Sequence, residues 1–216
     1  MEIRRTANAG VLLTLDGITI LMDGVCREVK PYPATPPEER QMLTARYPDV
    51  IAFTHCHKDH YDPGFAAAYQ RQTNGVILGP SDLPGCKATA QAVSVGGVTV
   101  TPVESRHIGA AGKTVKHMSF VVQGSACVWF LGDATPLQFK SRADLPQPDV
   151  LVVPYAYAVT ATGWEIAKAT GAKQIILLHM PKREEDTIGL WDAVETTVPK
   201  GSIHIPEVGE TLCLSI

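Results

Sequence analysis

The sequence predicts an α+β protein built as a four-layer αββα sandwich, two mixed sheets packed face to face with helices on their outer sides. Two observations carry that prediction. Hairpins dominate the first part of the chain, and strands alternate with helices after residue 148. With 216 residues, no linker, no low-complexity segment and no short-period repeat, residues 1–216 are expected to form one domain.

Residues 10–24, GVLLTLDGITILMDG, read as a hairpin, because two β-rich runs flank Asp16-Gly17, a pair suited to the positive φ angles of a tight turn. Asp23 closes the second strand. The proline-rich stretch 24–37 is a loop, and PEERQMLTARY after it is a helix opened by proline. DVIAF (49–53) is a short strand, THCHKDHYD (54–62) a turn, and PGFAAAYQRQ a helix starting at Pro63. GVILGP is a strand, followed by hairpins around Gly96-Gly97 and around Gly124. From there the order is strand DVLVVP, helix GWEIAKATG, strand KQIILLHM, helix TIGLWDAVETTV, and short strands near SIHIP and TLCLSI.

The composition is that of a globular protein, 45% hydrophobic and 19% charged, and the net charge of -3 argues against nucleic acid as a partner. No secretory layout is read at the N-terminus and no membrane-length apolar run occurs, so the expected location is cytoplasmic. Five scattered cysteines without a C-x-x-C pair are expected to be reduced, with Cys127 and Cys213 in strand cores.

Three of only seven histidines fall within residues 54–62, joined by Asp59. On an extended backbone His55 and His57 project to the same side, so both could reach one ion at about 2.0–2.1 Å. The turn beyond them could carry Asp59 and His60 toward a second ion about 3.5–4 Å from the first. Further candidate ligands stand singly at strand ends: His107 after TPVESR, Asp133 after VWFLG and His179 after QIILL. A solvated surface turn is the alternative for the histidine run, and these single residues count against it.

The order H-x-H-x-D-H, then His107, then Asp133 in FLGD, then His179, resembles the metallo-β-lactamase superfamily over nearly the whole chain. The stretch from Pro148 to Met180 further resembles the branch of ascorbate-phosphate lactonase-like and N-acyl-ethanolamine phospholipase-like hydrolases. The resemblance implies the metallo-β-lactamase fold and a binuclear centre, with His55, His57 and His107 on one metal and Asp59, His60 and His179 on the other. Asp133 would bridge the two. It also implies two zinc ions per chain, with manganese or iron as alternatives, and a metal-bridging hydroxide as nucleophile. Asp59 is the candidate catalytic residue for receiving or orienting a proton. Asp23 is expected to hydrogen-bond and fix the ligand loop.

The implied activity is hydrolysis of a small anionic ester, lactone or phosphodiester. Histidine at 57, where iron redox members usually carry glutamate, argues against a di-iron oxidoreductase; aspartate at 133, where many β-lactamases carry cysteine, argues against antibiotic hydrolysis. Lys58, Arg106, Lys113, His117, Tyr155, Tyr157 and Lys182 are candidate substrate contacts, each with a plain surface or packing role as its alternative. His204 is read as structural, and Cys56 as a buried thiol facing away from the ligands. Two competing readings are an RNA-processing or nuclease member of the fold, and a non-catalytic metal-binding or sensor protein. Homo-oligomerisation stays open.

Overall fold

The computed structural model describes residues 1–216, the side chains of Ala111 and Lys113 excepted, so Lys113 as a substrate contact lies outside the described residues. Thirteen strands form two sheets. They are β1 (Glu2–Arg5), β2 (Val11–Leu15), β3 (Ile18–Met22), β4 (Val50–Ala52), β5 (Ile77–Leu78), β6 (Ala88–Thr89), β7 (Val93–Val95), β8 (Val98–Arg106), β9 (Lys116–Gln123), β10 (Cys127–Phe130), β11 (Val150–Pro154), β12 (Gln174–Leu178) and β13 (Thr211–Cys213). The helices are α1 (Pro37–Ala45), α2 (Pro63–Thr73), α3 (Ala161–Ala169) and α4 (Leu190–Thr197). One sheet has the order β13-β1-β2-β3-β4-β5-β6 and the other β12-β11-β10-β9-β8-β7.

Side-chain alternation explains the layers. Val50 and Ala52 of β4 and Val150 and Val152 of β11 point between the sheets, where they meet Leu13, Phe120 and Phe130. Their neighbours Ile51 and Phe53 turn outward to Leu43 and Phe65 of α1 and α2. Leu151 and Val153 turn outward to Trp164 and Val194 of α3 and α4. Strands covered on both faces must be apolar throughout, which is why DVIAF and DVLVVP show no alternation of polarity.

Each sheet is antiparallel in one part and parallel in the other. Strands β3 to β6 pair in parallel, as do β10, β11 and β12. Parallel strands end at the same edge, so residues just past β3, β4, β10, β11 and β12 gather there. Two backbone bonds close that edge across the sheets, Met118 N–H to the Thr54 carbonyl at 2.9 Å and His179 N–H to the Asn8 carbonyl at 3.3 Å. The β2–β3 turn has φ 52° at Asp16 and 81° at Gly17, as its sequence requires. Helix α2 is capped by Asp62, whose carboxylate accepts from Phe65 N–H.

Three expectations change. SIHIP forms a single bridge, Ile176 with His204, because Pro206 lacks the N–H that would extend the ladder. Cys213 lies exposed on an edge strand and Cys127 is only partly buried, so neither is a core thiol; Cys56 is likewise half-buried. Strand β1 carries no strand signal, since four residues that include two arginines leave little room for a period. Among the described residues no helix is long and apolar enough to cross a membrane.

Candidate metal centre

Six of the seven histidines gather at the shared strand edge, His204 alone standing apart on the surface. The turn after β4 is pinned from below by Asp23, which takes a positive φ of 48° at the end of β3. Its carboxylate accepts from Thr54 N–H at 2.7 Å, Thr54 Oγ1 at 2.6 Å and His60 Nδ1 at 2.8 Å. The Thr54 hydroxyl proton is thereby committed, so at 2.9 Å His55 Nδ1–H must donate to Thr54 Oγ1. His107 Nδ1–H donates to the Ile108 carbonyl at 2.7 Å. With Nδ1 the donor in all three rings, the lone pair of each neutral ring is on Nε2.

Those Nε2 atoms of His55, His60 and His107, together with Asp133 Oδ1, are buried with no hydrogen-bond partner among the described residues. Buried polar atoms without partners are costly, and a cation supplies the missing partner. The donor set of imidazole and carboxylate suits zinc. Three groups lie close enough to hold an ion: His55, His57 and His107; Asp59, His60 and His179; and Asp23, His55 and His60. The third is an anchoring set, because Asp23 already bonds His60 Nδ1.

Asp133 sits between the first two groups. Its Oδ2 lies 3.5 Å from His107 Nε2, 3.5 Å from His60 Nε2 and 3.6 Å from His179 Nε2. Asp59 Oδ2 is 3.2 Å from His179 Nε2 and 3.9 Å from His60 Nε2. Gly132 allows the approach: it has φ 53°, and a Cβ there would fall 2.4 Å from Thr54 Cγ2. His179 also takes a left-handed φ of 60°, a conformation a non-glycine residue keeps only where its surroundings enforce it. Tyr32 packs edge-on against its ring at 4.4 Å between centroids, and Tyr155 at 5.7 Å.

The electrostatics divide the cluster. Burial, then the charge of His60, holds His55 well below the usual histidine range, and burial beside His107 lowers His57. Burial would also suppress a charge on His60, but Asp133 and Asp23 outweigh it and raise the ring well above its ordinary value. At Asp133 burial is likewise outweighed, here by His179 and His60, so the carboxyl falls well below the carboxylate range. Asp59 is lowered because its bond to His179 overcomes desolvation.

The expected substrate contacts part company. Lys58, Arg106 and Lys182 are exposed and Tyr155 is half-exposed beside His179. Arg106 and His107 border an open cleft of about 720 Å³. Tyr157 is not at the rim: it is 1% exposed inside the core between the second sheet and α3 and α4, since Tyr155–Tyr157 is a 3-10 turn that sends the two rings different ways. His117 is also closed off, 2% exposed, and packs 5.1 Å from the His55 ring.

Behind His117 runs a chain of hydroxyls that the sequence did not disclose. Ser119 Oγ donates to the Leu131 carbonyl, Ser105 Oγ lies 2.9 Å from Ser119 Oγ, and His117 Nδ1 is 2.7 Å from Ser105 Oγ. With the Ser119 proton committed, Ser105 donates to Ser119 and His117 Nδ1–H donates to Ser105. Burial keeps this ring neutral, lowering it to about 3. Thr54 and Tyr32 are the other residues missed. Thr54 adjoins His55 in sequence, whereas Tyr32 lies in a proline-rich loop with nothing local to mark it.

Among known families, the Beta-lactamase superfamily domain matches residues 2–177. The chain belongs to the beta-lactamase superfamily. No curated protein matches its sequence. Solved structures of the superfamily fold are nonetheless close in shape. A possible metal-dependent hydrolase from Veillonella parvula has a TM-score of 0.69 at 17% identity, covering 99% of each chain. An isothiocyanate hydrolase from Delia radicum gut bacteria has a TM-score of 0.66 at 18% identity and covers 100% of both. CmlA, a diiron β-hydroxylase from Streptomyces venezuelae, has a TM-score of 0.65 at 16% identity, over 99% of this chain and 54% of its own. At such identities the likeness concerns the fold, which supports more than one chemistry.

Proposed function

We propose that this superfamily member is a metal-dependent hydrolase with a two-cation centre, acting on a small anionic ester, lactone or phosphodiester. The carrying observation is the place of Asp133 Oδ2, 3.5–3.6 Å from histidines of both triads. His55, His57 and His107 would hold one cation and Asp59, His60 and His179 the other, with Asp133 shared. Zinc fits the donors, and manganese or iron are the alternatives. Such ions supply Lewis acidity toward a carbonyl or phosphoryl oxygen and ionise water near neutral pH.

The chain's own residues do the remaining work. Nδ1–H bonds to Thr54, Asp23 and the Ile108 carbonyl hold three imidazoles in the tautomer that presents Nε2 inward. Asp59, partly exposed and 3.2 Å from His179 Nε2, would hold a proton at Oδ2 during the reaction. Tyr32 and Tyr155 wall the His179 side, and the exposed Lys58, Arg106 and Lys182 favour anionic substrates. The Pro148–Met180 segment supports the lactonase-like and phospholipase-like branch.

The test is a screen of activated phosphodiesters, lactones, esters and thioesters with zinc-, manganese- and iron-loaded protein. Turnover in at least one class, abolished in Asp59→Ala and His179→Ala, supports the reading. Full metal occupancy without turnover of any class would favour a metal-binding or sensor protein, and strongly salt-dependent RNA cleavage the nuclease reading.

A further inference from the structure

Beside the metal centre lies a second cavity of about 630 Å³, bounded by the β1–β2 loop, the 33–36 segment, the chain after His179, and residues 205–208. Its walls include Arg5, Asn8, Ala34, Lys182, Trp191 and Glu207. Arg5 and Asn8 are 7% and 3% exposed, whereas Lys182, Glu184 and Glu207 are exposed and screened by solvent. The buried groups therefore decide what the cavity attracts.

Arg5 is a buried cation that forms no ion pair among the described residues. Its guanidinium donates only to backbone carbonyls, Nε to Ala7 at 3.1 Å, Nη1 to Pro206 at 2.8 Å and Nη2 to Asn8 at 2.8 Å. Arginine has five N–H donors, so one on each of Nη1 and Nη2 is uncommitted. Desolvation works against its charge, with Glu207 acting in the opposite sense from a distance. Asn8 Nδ2 is a second buried donor, with no partner among the described residues. Both residues line the cavity, and unspent donors beside a buried positive charge call for an acceptor bearing negative charge.

We propose that this cavity binds a small anion of the carboxylate or phosphate class, with Arg5 and Asn8 as its floor and Lys182 at its mouth. The site is distinct from the metal triads but touches their support, because the Asn8 carbonyl accepts from His179 N–H and Pro33 follows Tyr32 in the chain. An anion there is placed to steady the Tyr32 wall against His179. The inference does not rest on the hydrolase reading.

The test is calorimetry with inorganic phosphate and with acetate, beside tryptophan fluorescence, to which the half-exposed Trp191 in the wall contributes. Three variants accompany the wild type. Asn8→Asp puts a carboxylate on the floor and should abolish binding while raising Tm, since it supplies Arg5 with an internal counter-ion. Lys182→Ala, at an exposed position, should weaken binding about tenfold without affecting folding. His57→Ala should leave it unchanged. Which of the two anions binds more tightly identifies the ligand class. Absence of saturable binding for both, affinity unchanged in Asn8→Asp, or binding lost in His57→Ala but kept in Lys182→Ala overturns the proposal.

Discussion

The two candidate metal triads are held by different means. His55, His57 and His107 are drawn from both sheets, with ring centroids 4.5–4.8 Å apart, the tautomers of His55 and His107 set by Thr54 and a backbone carbonyl, and His55 and His57 held below the ordinary histidine range by burial. In the set of Asp59, His60 and His179, His60 is gripped between Asp23 and Asp133, which raise it above the ordinary histidine range, and His179 takes a left-handed conformation. The lesson is that His55 and His57 are ready to accept a cation as they stand, whereas His60 must first release a proton.

The largest effect is expected at Asp133, which the proposed centre shares between its halves. Asp133→Ala should lower hydrolytic turnover at least about a thousandfold, measured under saturating metal, because both halves lose a ligand at once. Turnover kept within about tenfold of the wild type would mean that Asp133 is not shared.

Acidity sharpens the contrast between the halves. His60 titrates above the ordinary histidine value, so lowering the pH strengthens the proton's hold against a cation; His55 and His57 titrate below it and are already neutral near pH 7. Metal titrations across pH should therefore show the second equivalent weakening first as pH falls. Equal pH dependence for both equivalents would erase the distinction.

Anchoring gives the next smaller effect. Asp23→Asn should reduce metal affinity about 10- to 100-fold, more for the His60 half than for the His55 half, as read by competition with a chelator. His117 tests the support behind His55. Its folded value of about 3 lies below its ordinary 6.5, so the unfolded chain binds the extra proton between those limits. The stability it contributes is present above pH 6.5 and lost as pH falls toward 3, on the order of a few kcal/mol. Denaturation of His117→Asn should show a shallower loss through that window than the wild type.

Much of this was legible in the sequence because ligand-type residues are rare and stood at the ends of apolar runs. The hairpins announced themselves through Asp16-Gly17 and Gly96-Gly97, and β4, β10 and β12 led straight to His55, Asp133 and His179. What stayed hidden depends on register and turn geometry. Ser105 faces His117 only because β8 and β9 pair in that register, and Ser119 joins them one step further along. Tyr157 went to the core because a 3-10 turn does not repeat every two residues. The contact of Tyr32 with His179 depends on how a proline-rich loop closes back over a strand end more than a hundred residues away.

The most direct test of the central claim is metal content per chain, by elemental analysis of protein purified without chelator or added histidines, beside His107→Ala, His179→Ala and Asp133→Ala. The account predicts about two ions in the wild type, about one in each histidine variant and fewer than one in Asp133→Ala. A wild type that stays metal-free even when zinc is supplied would contradict it, as would histidine variants that keep both ions.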